Sequence, residues 1–185
     1  MELGMNSAEL DMNTADRPLV LIGLMGAGKT TVGRRLARRL GRRFVDADEE
    51  IEQAAGMSIA DYFEHYGEPA FREGERRVIA RLLDEAEPIV LATGGGAYMD
   101  DETRTTIQQK AQSVWLKADL DLLVARTAKR DTRPLLKNGD PRTILKELMD
   151  KRYPIYAQSD ITVETGNVPH EAVVEMILSS LREKS

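Results

Sequence analysis

The sequence predicts an α/β fold, a three-layer α/β/α arrangement with a five-stranded parallel sheet between helices. Two patterns carry that expectation. Short runs rich in Val, Ile and Leu alternate along the chain with longer stretches in which apolar residues return every three or four positions. The first run, Leu19-Val20-Leu21-Ile22, is apolar at every position, as suits a strand covered on both faces. A length of 185 residues with 42% hydrophobic content fits one core and would cramp a second.

The elements follow in order. Residues 1–17 are expected to be a mobile tail, and residues 18–185 the single folded domain. The tail mixes Glu2, Glu9, Asp11 and Asp16 with Asn, Ser and Thr, which matches neither a secretory signal nor a transit peptide. After the first strand, Val32, Leu36 and Leu40 mark a helix stopped by Gly41. Arg34, Arg35, Arg38 and Arg39 fall on its other side, where a solvated face is the simpler reading than a nucleic-acid surface. Phe44-Val45-Asp46 reads as the second strand. Ser58, with Asp61 three residues on, looks like a capping box opening a helix. Pro69 suits the first turn of another, which carries Phe71, Glu75, Val78, Ile79 and Leu82. Ile89 to Thr93 is the third strand, ended by Gly94-Gly95-Gly96; Ser113 to Leu116 is the fourth, and Leu120 to Ala128 a helix. Residues 130–141 are polar, with two prolines and a glycine, and read as a mobile lid. Ile144, Leu145 and Leu148 mark a helix, Ile161 to Val163 the fifth strand, and Val173 to Leu181 the closing helix.

Composition narrows the function classes. The chain has no cysteine, so disulfides, thiolate metal sites and cysteine nucleophiles are excluded. A net charge of −5 argues against bulk nucleic-acid binding, although a few local arginines can still dominate a pocket for a small anion. No run approaches the roughly 18 apolar residues of a membrane-spanning helix. The expectation is a soluble, cytoplasmic monomer with neither nucleic-acid nor membrane partners.

Gly23-Leu24-Met25-Gly26-Ala27-Gly28-Lys29-Thr30 matches G-x-x-x-x-G-K-[ST], between a buried strand and an amphipathic helix. Glycines there let successive backbone N–H groups turn towards phosphate oxygens, and the helix N-terminus adds partial positive charge beneath them. Gly26, Ala27, Gly28, Lys29, Thr30 and Thr31 are therefore the expected ATP contacts. Lys29 should reach the β- and γ-phosphates, and the Thr30 hydroxyl should ligate Mg²⁺. The loop alone does not say how the nucleotide is used, because GTPases, motor ATPases and kinases share it. A GTPase would need a late N-K-x-D segment, and the sequence has none.

Six pieces in order resemble the shikimate kinase family: Gly26 to Thr31, Asp46-Ala47-Asp48, Phe71-Arg72, Thr93 to Gly96, Arg133-Pro134-Leu135-Leu136, and Arg152-Tyr153-Pro154-Ile155-Tyr156. The resemblance runs from about Leu19 to the C-terminus. It implies a P-loop fold with strand order 2-3-1-4-5 and a transfer of the γ-phosphoryl group of ATP to the 3-hydroxyl of shikimate. That reaction lies on the route to chorismate and the aromatic amino acids. By resemblance, Arg72 and Arg152 clamp the substrate carboxylate, a task that suits the planar guanidinium fork. Asp48 holds the reacting hydroxyl, Asp46 faces Mg²⁺ through water, and Gly94, Gly95 and Gly96 let the substrate lie against backbone. Arg133 closes with the lid onto the transferring phosphate, and Arg126 is expected against the adenine or the phosphates. The catalytic set is thus Lys29, Asp48 and Arg133. Thr165-Gly166-Asn167-Val168-Pro169 lacks the arginine this family often places there for the adenine, so that side of the pocket stays unassigned. His65 and His170 receive no role, and Trp115 reads as core. Two rivals stay open: a gluconate kinase, whose substrate is also a polyhydroxy carboxylate, and a regulatory protein that hydrolyses ATP without transferring it.

Overall fold

A computed structural model describes residues 16–129 and 139–184. The strands β1 (Leu19–Ile22), β2 (Phe44–Asp46), β3 (Val90–Ala92), β4 (Gln112–Lys117) and β5 (Ile161–Glu164) form one parallel sheet of order β2-β3-β1-β4-β5. This is the order the resemblance implies. β1 is central and buried at every position, pairing Leu19 with Val90 on one side and Gln112 on the other. Its continuous apolar run follows from that position, since both faces meet helices.

The helices are α1 (Lys29–Leu40), α2 (Ala47–Ala55), α3 (Ile59–Leu83), α4 (Asp101–Lys110), α5 (Leu120–Ala128), α6 (Pro141–Tyr156) and α7 (His170–Glu183). α1 buries Val32, Gly33, Leu36 and Ala37 and ends on Gly41, which takes the left-handed conformation. Each large side chain so buried contributes about 1.5–3 kcal/mol. Its arginine face is exposed: Arg35 and Arg39 pair with Glu171 and Glu175 of α7, and Arg34 lies over the Phe44 ring. A solvated, ion-paired face is thus the right account of that charge run.

Across α3 the chain breaks at Gly67 (φ 80°, ψ 170°) just before Pro69, giving the two helical segments expected there. Ser58 accepts from the Asp61 N–H at 3.1 Å, which is the forward half of the expected capping box. α5 has the expected bounds, whereas α6 begins at Pro141, inside the span assigned to the lid, with Asp140 as its cap. Residues 130–138 of that span, including Arg133, lie outside the described residues, as does most of the tail. Arg17, assigned to the tail, is tied down: it donates to the Gln109 carbonyl at 2.7 Å and accepts from Arg42 at 2.9 Å. Trp115 is core, packed edge-on against Tyr153 and Tyr156 with ring centroids 4.9 and 5.9 Å away. Among the described residues, no helix is long and apolar enough to cross a membrane.

Candidate active site

The loops that follow β1 and β3 leave the same edge of the sheet side by side, in the crevice where open α/β sheets hold ligands. On the β1 side, Gly26 (φ 85°) and Gly28 (φ 97°) take left-handed conformations that side chains other than glycine resist. The loop curls tightly enough for Ala27 N–H to reach the Leu24 carbonyl at 3.1 Å. Lys29 Nζ donates to the carbonyls of Gly23 and Leu24, at 2.5 and 3.2 Å. Arg126 reaches across from α5 and donates to the Gly26 carbonyl at 3.0 Å. The two predicted cations therefore converge on one loop, while Thr30 is exposed beside it.

Helix starts differ in how they are capped. Asp46, Ser58, Asp100, Asp119 and Asp140 each cap a helix with a side-chain oxygen. α1 and α7 have no side-chain cap, and α1 has no acid in its first turn. Both uncapped ends meet at the phosphate loop: a Cβ placed on Gly28 would lie 3.6 Å from both Arg126 and the His170 ring. Burial, with Arg126 and Arg35 nearby, lowers the His170 pKa and so favours the neutral ring. Sequence reasoning missed His170, because only the packing of α7 against α1 brings it there.

On the β3 side, each of the three glycines faces one predicted acceptor residue. A Cβ on Gly94 would lie 2.9 Å from an Asp48 carboxylate oxygen, and one on Gly95 would lie 2.6 Å from Arg152 Nη1. One on Gly96 would collide with the Arg72 guanidinium. Three charged heads separated by up to 104 residues of chain are thus gathered along one glycine strip. Arg72 is itself anchored. Its Nη1 donates to Glu75 at 2.7 Å, and its guanidinium lies 5.2 Å from the centre of the Phe71 ring.

Glu75 is 1% exposed, a carboxylate within the apolar stripe of α3. The sequence offered a signal for it, three residues after Arg72 on the buried face. Burial raises the Glu75 pKa, and Arg72 opposes the rise. Burial also raises the Asp48 pKa, helped by Asp46 and resisted by Lys29 and Arg72. Asp48 therefore feels both the phosphate-side lysine and the acceptor-side arginine. Asp46 meanwhile caps α2, one oxygen accepting from the N–H groups of Asp48 and Glu49 at 2.9 and 3.4 Å. Farther back, Arg76 grips Asp100 with a two-pronged contact at 2.7 and 2.6 Å, fixing α3 to the start of α4 behind the glycine strip.

The chain is also similar to known proteins along most of its length. The family model for shikimate kinase matches residues 25–182. A shikimate kinase of Paramagnetospirillum magneticum is 61% identical over 89% of this chain and 84% of its own length. Another, from Caulobacter vibrioides, is 58% identical over 90% of this chain and 83% of its own. A solved shikimate kinase from Acinetobacter baumannii, in complex with shikimate, superposes with a TM-score of 0.86 at 38% identity, covering 91% of this chain and 94% of that one. With a nucleotide loop, a charged glycine strip and this likeness along nearly its whole length, the chain belongs to the shikimate kinase family.

Proposed function

We propose that this chain phosphorylates the 3-hydroxyl of shikimate from ATP, with the phosphates on the loop before α1 and the acid against Gly94–Gly96. One observation carries the reading: the three glycines present Asp48, Arg152 and Arg72 in a row, directly beside the phosphate loop. Two guanidiniums at one end of that row suit a carboxylate, and an acid at the other suits a hydroxyl. The substrate of this family has both on one ring.

In this reading Lys29 leaves the loop carbonyls and takes up the β- and γ-phosphates, with the backbone of Gly26 to Gly28 and the hydroxyl of Thr31 beside it. Asp48 accepts the hydrogen of the attacking hydroxyl and aims its lone pair at phosphorus. A P–O bond forms to shikimate, the bond to ADP breaks, and Asp48 or solvent holds the released proton. Phosphoryl transfer depends mainly on positioning and charge, so alignment by Asp48 matters as much as its basicity. Arg72 and Arg152 hold the carboxylate, and Glu75 keeps Arg72 in place. Arg126 lies against the nucleotide. Arg133, outside the described residues, is assigned to the γ-phosphate by its motif alone.

The donor set fits Mg²⁺, which takes a few protein oxygens and otherwise keeps water or phosphate. The Thr30 hydroxyl and the second oxygen of Asp46 supply such donors, and among the described residues no larger acid or histidine cluster competes for a metal. Bound there, the ion would neutralise charge on the β- and γ-phosphates. The net charge of −5 supports the reading that nucleic acid takes no part; monomeric, cytoplasmic operation is proposed from composition.

A coupled assay for ADP, offering shikimate, quinate and gluconate separately, tests the assignment. Shikimate should stimulate ADP release far above the other two. Equal release with and without shikimate would leave only an ATP hydrolase, and preference for gluconate would favour the rival kinase.

A further inference from the structure

We propose that Tyr156 is a positioning residue for the acceptor site, its hydroxyl tying the Arg152 guanidinium to the carbonyl of Gly95. The inference rests on the acceptor reading above and deepens it. Arg152 and Tyr156 stand four residues apart on α6, so both project from the same face of that helix. Tyr156 is fully buried, and its hydroxyl donates to the Gly95 carbonyl. The Arg152 guanidinium lies beside the same oxygen, both groups being gathered over Gly95. A Cβ on Gly95 would fall 2.6 Å from Arg152 Nη1 and 3.6 Å from the Tyr156 hydroxyl. One hydroxyl thus fixes both the height of the glycine strip and the reach of the guanidinium beside it. Without it, the Gly95 carbonyl and the arginine lose their shared partner, and the two sides of the carboxylate pocket can drift independently.

The bland account is a core tyrosine that happens to satisfy its hydroxyl. Tyr153 supplies the comparison, because it belongs to the same helix and the same aromatic cluster around Trp115. Its hydroxyl donates instead to the Ala118 carbonyl, ahead of α5 and away from the glycine strip. Both tyrosines bury a ring and satisfy a hydroxyl, but only Tyr156 touches the acceptor side.

The test compares Tyr156→Phe with Tyr153→Phe, each of which removes one oxygen and keeps the ring. Tyr156→Phe should raise KM for shikimate about tenfold, equivalent to about 1.4 kcal/mol, with KM for ATP changed less than about twofold. Tyr153→Phe should lower Tm comparably without that split. Calorimetric titration of shikimate then places the effect. In an Arg152→Ala background, adding Tyr156→Phe should weaken binding by less than about twofold, because the positioned group is already gone. A shikimate KM unchanged in Tyr156→Phe, a parallel rise for ATP, or losses that multiply in the double variant would each overturn the proposal. Wild-type protein that ignores shikimate would overturn the acceptor reading itself, a result seen before any variant is made.

Discussion

Gly96→Ala isolates the steric logic of the glycine strip. Gly96 sits at φ −88° and ψ −10°, a conformation open to alanine, so the backbone supplies no strain. The new methyl would collide with the Arg72 guanidinium, whose Cζ would be 2.9 Å away. Arg72 is poorly placed to retreat. Its side chain is 19% exposed and is held by Glu75 at 2.7 Å, so moving it leaves a buried carboxylate with a weaker partner. Losing a well-formed hydrogen bond to a charged group costs about 1.5–3 kcal/mol, which converts to a rise of roughly 10–150-fold in KM for shikimate. Stability should change far less. Overpacking costs about 1 kcal/mol at the low end, because the clash falls on Nη2 and a small turn of the tip can relieve it while Nη1 stays with Glu75. The reduced freedom of the unfolded chain returns about 0.4–1 kcal/mol. The net shift in Tm should then stay within about 4 °C. Steady-state ADP release, with each substrate varied at saturating levels of the other, measures both constants, and a thermal melt supplies the control. A shikimate KM within twofold of wild type, at unchanged Tm, would refute the claim that Arg72 holds the acid.

Lys29→Ala should abolish phosphoryl transfer while the fold persists; appreciable turnover would mean the loop does not cradle the phosphates as argued. Asp48→Asn should lower kcat about 10²–10⁴-fold and raise Tm at neutral pH. The sign follows from its raised pKa: the folded state holds a proton the unfolded chain has released, so ionised Asp48 lowers stability as pH rises through that window. A Tm that falls in this variant would contradict the argument. The acid limb of kcat/KM for shikimate should likewise lie above the ordinary aspartate value of 3.8, and a limb at or below it would rule out Asp48 as the titrating group. Asp100 is the opposite case, held down at about 2 by its hydrogen bond from Arg76. Its stabilisation is complete above the ordinary aspartate range and fades as pH falls towards about 2. Asp100→Ala should cost about 2 kcal/mol through the lost cap and fork, seen as a fall in Tm at pH 7 that narrows in acid.

The nucleotide half was legible because its signal is contiguous. Eight residues carry the phosphate loop, and the strand before and helix after confirm it locally. The acceptor half was legible only through family likeness. Arg72, Arg76, Arg77 and Arg81 all lie on α3, and no spacing rule separates them. The fold does: Arg72 meets Gly96, Arg76 grips Asp100, Arg77 pairs with Glu73 on the surface, and Arg81 reaches Glu50. α2 and α4 escaped the periodicity because each buries only two residues, Ala47 with Ile51 and Thr103 with Ile107. His170 and Tyr156 escaped for a different reason. Their significance lies in tertiary neighbours, Gly28 and Gly95, that sit 142 and 61 positions away in the chain.

Placement of charge separates what the fold needs from what the ligand needs. A buried ion pair is weak support for a fold, since well-packed apolar residues of similar size often do as well or better. Glu75 occupies a position in the α3 stripe that Phe71, Val78, Ile79 and Leu82 fill with hydrocarbon, and it carries a raised pKa as the consequence. Stability alone would favour a leucine there. The acid makes sense once its partner is considered: on the reading proposed above, Arg72 offers its guanidinium over the glycine strip, and Glu75 holds it there at 2.7 Å. Asp48 obeys the same logic, desolvated next to Asp46 although Lys29 and Arg72 offset only part of the burden. These two raised carboxyls flank the same arginine, and both lie on the side of the sheet where β1 and β3 release their loops. Folding alone gives no reason for that concentration of charge; on the reading proposed above, a bound carboxylate and hydroxyl account for it.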